Sequence, residues 1–283
     1  MKIKLFSDST CDLTDDLIRK YDIGIIPLHV IMDGTSYDDS VNIRSRQIYE
    51  WSNRSGITPT TSAPSVGEIE EILKPYLNEY DQFVLFSIAS GVSSSNQVMR
   101  MAVNYLGIAD RTLVVDSQNL STGIGQLLIR TAEMIEDGKD ISEIEPVLSQ
   151  LIPKVRCSFI VDTLTYLYRG GRCSGLSAVA GAALKIHPQI SVSDGKLIPG
   201  KKYRGKMRSV LLNYLEDLKP QLENADRSRV FITHSGSDAQ IIETIREKLQ
   251  NEYGFKEILV TQAGCVISSH CGPNTLGVIF IEN

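Results

Sequence analysis

Short apolar runs that each end in a polar loop recur along this sequence, and they constrain the fold more than any other feature. Five of these runs are KIKLF, FVLFSI, TLVVDS, FIVDTL and CVISS. Continuous apolar runs of this length are typical of strands that helices cover on both faces, as in a parallel α/β sheet. Loops at the carboxyl ends of such strands converge on one crevice, where ligands bind. We therefore expect these loops to form a single site.

The loops after these runs are rich in hydroxyl side chains, and one of them carries a histidine. Residues 7–10 and 90–95 are mostly serine or threonine, and His270 is predicted to lie in the loop after the last run. A further hydroxyl cluster at residues 60–65 follows no predicted strand but has the same chemistry. Neutral donors around one basic ring suit a small anionic head group.

Predicted strands and helices alternate in the first half of the chain. Strands are expected at residues 3–8, 24–32, 83–88 and 112–117, and helices at 12–21, 43–52, 66–79, 95–106 and 121–138. Asp12 or Thr14 is expected to cap the first helix. Alternation of this kind is typical of a parallel sheet with crossover helices. We assign residues 1–152 to an N-terminal Rossmann-like domain.

The second half has a different order of elements, which indicates a second α/β domain over residues 153–283. Strands are expected at 156–163, 229–234, 257–262 and 277–282, and helices around 175–186, 205–223 and 237–251. Between them QISVSDGKLI reads as a hairpin, because Asp194-Gly195 is a strong tight-turn signal. A hairpin among helices indicates a mixed sheet. The ligand is expected at the interface between the two domains.

Composition excludes several classes of function. The 283 residues include 29 basic and 34 acidic side chains, a net charge of −5 that disfavours a nucleic-acid binder. The five cysteines are scattered without CxxC spacing, so neither a disulfide framework nor a metal site is expected. The N-terminal segment does not resemble a secretory signal, and no run is long enough for a membrane helix. We expect a cytoplasmic protein without a cofactor.

Each candidate site residue also has a structural interpretation. In the cluster at residues 60–65, Ser65 suits a helix N-cap, whereas Thr61 is less easily explained in this way. Ser93 or Ser94 could cap the next helix, or could lie beside an anion that is bound at the start of that helix. His270 could donate to an anion or shuttle a proton.

Two groups of basic residues allow similar alternatives. Arg172 follows two glycines. It is either an ordinary surface arginine or an arginine whose guanidinium group binds a carboxylate or phosphate with two hydrogen bonds. Five basic residues within eight positions form either a solvated helix start or a surface for an acidic partner or anionic membrane. These five are Lys201, Lys202, Arg204, Lys206 and Arg208.

Seven segments together resemble the DegV family of bacterial fatty-acid-binding proteins. They are SDSTCDL, IIPLHVIMDGTSYDD, TSAPS, ASGVSSSNQ, VVDSQNLSTGIG, LYRGGRCS and SSHCGPNTLGV. The segments occur in the family's order and span nearly the whole chain. One such segment alone would be a weak signal, whereas seven in order are a strong one.

The resemblance implies a long-chain fatty acid, such as palmitate or stearate, with its acyl chain buried and its carboxylate at the domain interface. It implies that Thr61, Ser93 and His270 contact the carboxylate. Arg172, Ser62 and Ser94 are expected to assist or to handle phosphate. Some family members present the fatty acid to a separate ATP-dependent kinase, which makes an acyl phosphate. On this resemblance the protein has no catalytic residues of its own.

The chain departs from the family pattern near the expected carboxylate site. Ala89 replaces a serine, and residues 94–96 (Ser-Ser-Asn) replace Gly-Thr-Tyr. Cys271 and Asn274 replace a threonine and a glycine, and His187 stands where lysine is common. Ligand preference, head-group geometry and any kinase partner are therefore the properties most open to difference.

Two other functions are compatible with parts of the sequence. A serine esterase would use Ser93 as nucleophile and His270 as base, but the GxSxG elbow of α/β-hydrolases is absent. A phosphate-ligand protein would suit the general architecture, but the sequence has no GxxxxGK[ST] motif.

Overall fold

The computed structural model describes residues 1–173 and 186–283. The helix that the sequence predicts around residues 175–186 lies outside the described residues, apart from its last position. Within the described ranges, strands form three sheets, and helices pack on and between them. No helix within these ranges is both long enough and apolar enough to span a membrane.

The first sheet confirms the parallel sheet predicted for the N-terminal half. Among the described residues it has four parallel strands in the order β2-β1-β6-β7. These strands are β1 (Ile3–Asp8), β2 (Ile23–Ile26), β6 (Gln82–Ser87) and β7 (Thr112–Asp116). The helices of this half are α1 (Asp15–Lys20), α2 (Ser45–Ser55), α3 (Val66–Leu73), α4 (Ser95–Tyr105), α5 (Thr122–Glu136) and α6 (Ile141–Leu151). Strand β6 is fully buried from Phe83 to Phe86, because helices cover both faces of the sheet.

A small antiparallel sheet in the same half corrects two predictions. In the described part of the chain it contains β3 (His29–Met32), β4 (Thr35–Asp38) and β5 (Thr60–Ser62), in the order β4-β3-β5. The strand predicted at 24–32 is in fact two strands separated at Pro27, which has no N–H to donate to a ladder. The hydroxyl cluster was expected to follow no strand, but part of it is itself β5. Thr61 pairs with Val30 there.

The third sheet confirms the mixed sheet predicted for the C-terminal half. Its strands, within the described ranges, run in the order β10-β9-β8-β13-β11-β12, and only β11 and β12 are parallel. They are β8 (Val155–Ile160), β9 (Ile186–Ser193), β10 (Lys196–Arg204), β11 (Ala225–His234), β12 (Glu257–Gln262) and β13 (Leu276–Glu282). The predicted hairpin turn is confirmed: Asp194 has φ 49° and Gly195 φ 70°, as a type I′ turn requires.

The helices of the C-terminal half differ from prediction in three places. They are α7 (Thr165–Gly170), α8 (Met207–Asp217), α9 (Lys219–Glu223), α10 (Ala239–Lys248) with a π-turn at Leu249–Tyr253, and α11 (Cys265–Cys271). The single helix predicted at 205–223 divides after Asp217, because Pro220 cannot donate a backbone hydrogen bond to the preceding turn. Only part of the basic cluster is a helix start: Lys206 is the N-cap of α8 and Arg208 lies in its first turn, whereas Lys201, Lys202 and Arg204 belong to β10.

The third difference concerns His270. The apolar run CVISS was expected to be strand-like, with His270 in the loop that follows. It forms helix α11 instead, and His270 lies in the last turn of that helix. An apolar run of five residues has no periodicity that separates a buried strand from a buried helix, so the surrounding tertiary structure decides.

Helix α5 joins the two halves of the molecule. Its Gln126 Nε2 donates to the carbonyl oxygens of Arg229 and Ile279 on the third sheet, at 3.3 and 3.2 Å. Its Thr122 hydroxyl pairs with that of Thr233 at 2.6 Å. Most of the helix is buried, as expected for a helix between two sheets. The first and third sheets are therefore held at a fixed separation, and the site lies beside this helix.

Candidate ligand-binding site

A cavity of about 300 Å³ lies between the two halves of the chain. Its walls are largely aliphatic, from Leu28, Ile88, Val92, Leu120, Leu197, Val266 and Ile267. Its polar side chains are Thr61, Ser62, Ser93, Ser94, Arg172 and His270, with the thiol of Cys271. All six residues that the sequence singled out therefore line one cavity. Their roles toward a ligand stay predictions.

The polar centre of this cavity is a contact between Thr61 and His270. Thr61 Oγ1 lies 2.8 Å from His270 Nε2, although 209 positions separate the two residues. Thr61 projects from β5 toward the cavity, whereas its neighbour Thr60 is exposed, as alternation along a strand requires. His270 approaches from α11. The pair thus joins the small sheet of the N-terminal half to a helix of the C-terminal half.

The ring of His270 is held neutral. Burial in an apolar surrounding, with a smaller contribution from the positive charge of Arg172, lowers the pKa of His270 to about 4. Within the described residues, its buried Nδ1 has no hydrogen-bond partner. The backbone of Gly170 lies against this atom, and a Cβ at that position would stand 2.3 Å from Nδ1. Helix α7 can approach the ring so closely only because residue 170 is glycine.

Ser93 lies across the cavity, in the loop between β6 and α4. Its Oγ lies 2.8 Å from the Ser95 hydroxyl and accepts a bond from the Ser95 backbone N–H at 3.2 Å. Ser94 takes the N-cap position of α4 without a side-chain bond. In the described part of the chain Ser93 makes no hydrogen bond to His270. This geometry gives no support to a serine esterase that pairs these two residues.

A polar recess of about 350 Å³ lies beside the cavity. Val92, Arg172 and Leu197 line both spaces, and Lys196 adds a second cation to the recess. Arg172 is exposed, and its Nη1 donates to the Gly170 carbonyl at 2.8 Å. Arg172 and Lys196 thus form a cationic vestibule that shares a wall with the cavity.

A smaller apolar cavity of about 20 Å³ continues from the main one toward the third sheet. Leu120, Ile267 and Cys271 line both cavities and form the wall between them. Beyond them the walls include Phe159 and Ile279. The two cavities together mark an apolar path from the Thr61–His270 pair into the core between the sheets.

The site also rests on three buried aspartates to which the sequence analysis gave no role in the site; Asp12 was a candidate cap for the first helix, but Thr14 is that cap. Asp8, at the end of β1, accepts bonds from the Thr10 hydroxyl at 2.6 Å and from the Ile88 backbone N–H at 2.7 Å. Burial, opposed by these hydrogen bonds, raises the pKa of Asp8 to about 6. Asp8 thereby fixes the start of the loop that carries Ser93.

The other two aspartates hold the start of α11. Asp12 accepts from the Gly264 N–H at 2.8 Å and from the Ser121 hydroxyl at 2.5 Å. Asp39 accepts from the Cys265 N–H at 2.6 Å. Burial, with a contribution from the nearby Asp39 charge, raises the pKa of Asp12 to about 8, and burial likewise raises the pKa of Asp39.

A signal for these aspartates was present in the sequence. Asp8 ends the first apolar strand and Asp12 follows it closely, while Asp39 comes directly after the short strand that ends at Asp38. Acidic residues are rarely buried unless they are paired, and the local sequence does not show which distant N–H groups will be their partners. The described residues contain no group of three or more His, Cys, Asp or Glu side chains that could hold a metal ion.

A parallel sheet, a mixed sheet and an aliphatic cavity with a polar mouth between them define a class of two-domain α/β proteins with an interface cavity. The model of the DegV family, whose description is "Uncharacterised protein, DegV family", matches residues 2–283. This chain belongs to the DegV family.

Sequence and structure comparisons agree with this assignment. A DegV domain-containing protein of Caldanaerobacter subterraneus is 31% identical over 283 residues, which cover 99% of each chain. A fatty-acid-binding DegV family protein from Thermus thermophilus superposes with a TM-score of 0.91 at 29% identity, with 100% of both chains covered. A stearic acid-binding protein from Eubacterium ventriosum superposes with a TM-score of 0.85 at 26% identity, over 99% of this chain and 98% of that chain.

Proposed function

We propose that this protein binds a long-chain fatty acid, such as palmitate or stearate, through Thr61, Ser93 and His270. The observation that carries the proposal is the Thr61–His270 pair in the wall of a largely aliphatic cavity. The similar proteins from Thermus thermophilus and Eubacterium ventriosum bind fatty acids, which supports the same ligand class here.

The polar part of the cavity suits a carboxylate because it offers hydroxyl donors. An ionised carboxylate only accepts hydrogen bonds, and the Ser93 hydroxyl can supply one. When the neutral His270 ring donates from Nε2 to Thr61 Oγ1, the Thr61 hydroxyl is free to supply another. Hydrogen bonds to a charged group contribute about 1.5–3 kcal/mol each. Arg172 at the edge of the cavity adds a positive charge without occupying the head-group position. The head group would therefore be oriented mainly by neutral donors.

The acyl chain would supply most of the affinity. Burial contributes about 0.8 kcal/mol per CH₂, so a C16 chain gives on the order of 12 kcal/mol before the cost of association. We place the chain along the apolar path past Leu120, Ile267 and Cys271 toward the third sheet. These side chains must part to admit it, because the inner cavity is small in this structure.

The proposal is tested by denaturing extraction and mass spectrometry of the small molecules that co-purify with the protein. We expect about one C16–C18 fatty acid per chain, strongly reduced in the double variant Thr61→Ala/Ser93→Ala. Thr60→Ala is the matched control, since Thr60 lies on the same strand but faces solvent. A wild-type protein that neither carries nor takes up a C14–C18 fatty acid after delipidation would overturn the proposal.

We further propose that the bound carboxylate is presented in the cytoplasm to an ATP-dependent kinase, which forms an acyl phosphate, and that this protein is the non-catalytic subunit. The cationic vestibule beside the head-group site supports this role, because a phosphoryl group could reach the carboxylate there. With a compatible kinase, Arg172→Ala should slow acyl-phosphate formation while leaving the fatty acid bound. Equal rates for variant and wild type would remove Arg172 from the role.

A further inference from the structure

Helix α11 carries His270 but is too short to fix its own orientation. It has seven residues, about two turns, and isolated helices of this length are unstable in water. Its direction, and with it the position of the His270 ring, must therefore come from contacts with the rest of the molecule. The relevant contacts are those that hold the helix relative to Thr61, because Thr61 belongs to the other half of the chain.

Two carboxylates from the N-terminal half hold the first turn of α11 by its backbone. The first N–H groups of a helix have no partner within the helix. Asp12 accepts the N–H of Gly264 at 2.8 Å, and Asp39 accepts that of Cys265 at 2.6 Å. A Cβ at Gly264 would lie 3.1 Å from one carboxylate and 3.2 Å from the other, so the two acids stand side by side.

Asp39 connects this turn directly to the region that carries Thr61. It is 1% exposed, and its Oδ2 accepts from the Ser9 hydroxyl at 2.8 Å. That hydroxyl in turn accepts from the backbone N–H of Leu28, which precedes β3, and β3 pairs with β5. The Asp39 backbone N–H also donates to the Leu28 carbonyl at 2.8 Å. One continuous set of hydrogen bonds thus links α11 to the strand beside Thr61.

The other end of α11 is held by its own half of the chain. Ser235 donates to the Gly272 carbonyl at 2.6 Å, and the Thr275 hydroxyl donates to the Cys271 carbonyl at 3.0 Å. On the side of the helix, the Ser268 hydroxyl contacts that of Ser45 at 3.2 Å. Among the described residues, Asp12 and Asp39 are the acidic side chains from the N-terminal half that accept hydrogen bonds from the first turn of α11.

We propose that Asp39, assisted by Asp12, is a positioning residue for the head-group site and sets the distance between His270 and Thr61 through the first turn of α11. The inference rests on the proposed function, because it concerns the same carboxylate site. It adds that binding depends on two acids that never touch the ligand.

A carboxylate at position 39 suits this role better than an amide. Asp39 accepts from Ser9 on one oxygen, and from Ser40 and Cys265 on the other. An ionised carboxylate can satisfy all three donors, whereas asparagine has only one acceptor oxygen and places two further N–H donors among them. Asp39→Asn should therefore release the first turn of α11 while keeping the size of the side chain.

The experiment compares Asp39→Asn with wild type by two measurements. The first is NMR of histidine labelled at Cε1 in the ligand-free protein, with the His270 signal identified by its loss in His270→Gln. We expect the Asp39→Asn signal to move toward that of Thr61→Val, and the pKa of His270 to rise from about 4 toward its ordinary value of 6.5. An unchanged signal and titration would overturn the proposal.

The second measurement is fatty-acid affinity in a double-mutant cycle. Asp39→Asn alone should weaken binding by about tenfold, the effect of one lost charge-assisted hydrogen bond. In the His270→Ala background the same change should cost nothing more, because Asp39 acts through His270. A role that is only structural would give the same loss in both backgrounds, and that result would overturn the proposal.

Two further variants keep the outcome interpretable. Glu133→Gln weakens an ion pair between the halves that does not involve α11, and it should leave the His270 signal unchanged. If Asp39→Asn does not fold, Asp12→Asn tests the same contact at Gly264, with a smaller shift expected in the same direction. If wild type binds no fatty acid, the proposed function fails, and the NMR measurement on the free protein still decides the positioning role.

Discussion

The two halves of the molecule meet through two helices, α5 and α11, which differ in what lies beside them. On α5 the polar groups that cross the interface are paired: Gln126 with two carbonyls, and Glu133 with Arg229 at 2.7 Å. On α11 the crossing groups are paired too, but Asp12 and Asp39 have raised pKa values, and His270 Nδ1 is buried without a partner among the described residues.

The difference indicates that the α5 interface is a packed structural contact, whereas the α11 interface borders a ligand site. Buried polar groups are normally satisfied, and a group that is not satisfied marks strain or a functional site. Around α5 the remaining space is filled by core side chains such as Leu127 and Leu128. Beside α11 lies the 300 Å³ cavity. Helix α5 therefore packs into a filled core, while α11 places a histidine with one unpaired nitrogen beside an open cavity.

The largest expected effect is a loss of stability at the α5 interface. Leu127 is fully buried, and Leu127→Ala should lower the free energy of unfolding by about 2–5 kcal/mol, through lost burial and the resulting cavity. Urea denaturation measures this, with the exposed Arg130→Ala on the same helix as control. We expect the fatty-acid affinity of the folded Leu127→Ala protein to stay close to wild type. A parallel loss of affinity would mean that the two interfaces are not separable.

The next effect is a loss of binding with little loss of stability, at the α7–α11 contact. Gly170→Ala places a Cβ at the position that is now 2.3 Å from His270 Nδ1, so the ring must shift and its contact with Thr61 Oγ1 is distorted. We expect a 10- to 100-fold weaker affinity for palmitate by calorimetry, equivalent to about 1.4–2.8 kcal/mol. Gly67→Ala is the control, because open space surrounds that position. Equal affinities for the two variants would contradict the role given to the ring.

The third effect is a change in the pH dependence of stability, and it is small within any single pH unit. Because the pKa of Asp12 is about 8 in the folded protein and 3.8 ordinarily, the folded state binds more protons between these values. Stability is therefore lost as pH rises from about 4 to 8. Asp12→Asn cannot ionise, so its stability should fall less steeply across this window.

Urea midpoints measured at intervals from pH 5 to 8.5 check this prediction. Other titratable groups near Asp12 include Asp8, Asp39 and the thiols of Cys11, Cys157 and Cys271, and all of them remain in the variant. Asp8 also has a raised pKa, so some pH dependence should persist in both proteins. Identical slopes for the variant and wild type would show that Asp12 is already ionised when the protein folds.

Elements with a strong local signal were predictable from the sequence. The run FVLFSI is β6 to within one residue at each end, and Asp194-Gly195 forms the expected turn. Thr14 and Ser65 cap α1 and α3 through their side chains, as their positions before acidic first turns indicate. Helix α6 was not predicted, because Pro146 lies inside it and a proline is usually taken to end or interrupt a helix.

The sequence by itself determined the alternation of strands and helices and the two kinds of sheet, because periodicity and turn chemistry are local properties. The six polar residues of the cavity were singled out by the resemblance of ordered motifs to a family, whereas its aliphatic walls had no signal of their own. The tertiary structure alone decided that CVISSHC is a helix, that Thr60–Ser62 joins a sheet, and that Asp12 and Asp39 meet the backbone of α11. Each of these depends on partners more than 25 residues away, and neither burial nor a distant hydrogen-bond partner is encoded in a local pattern.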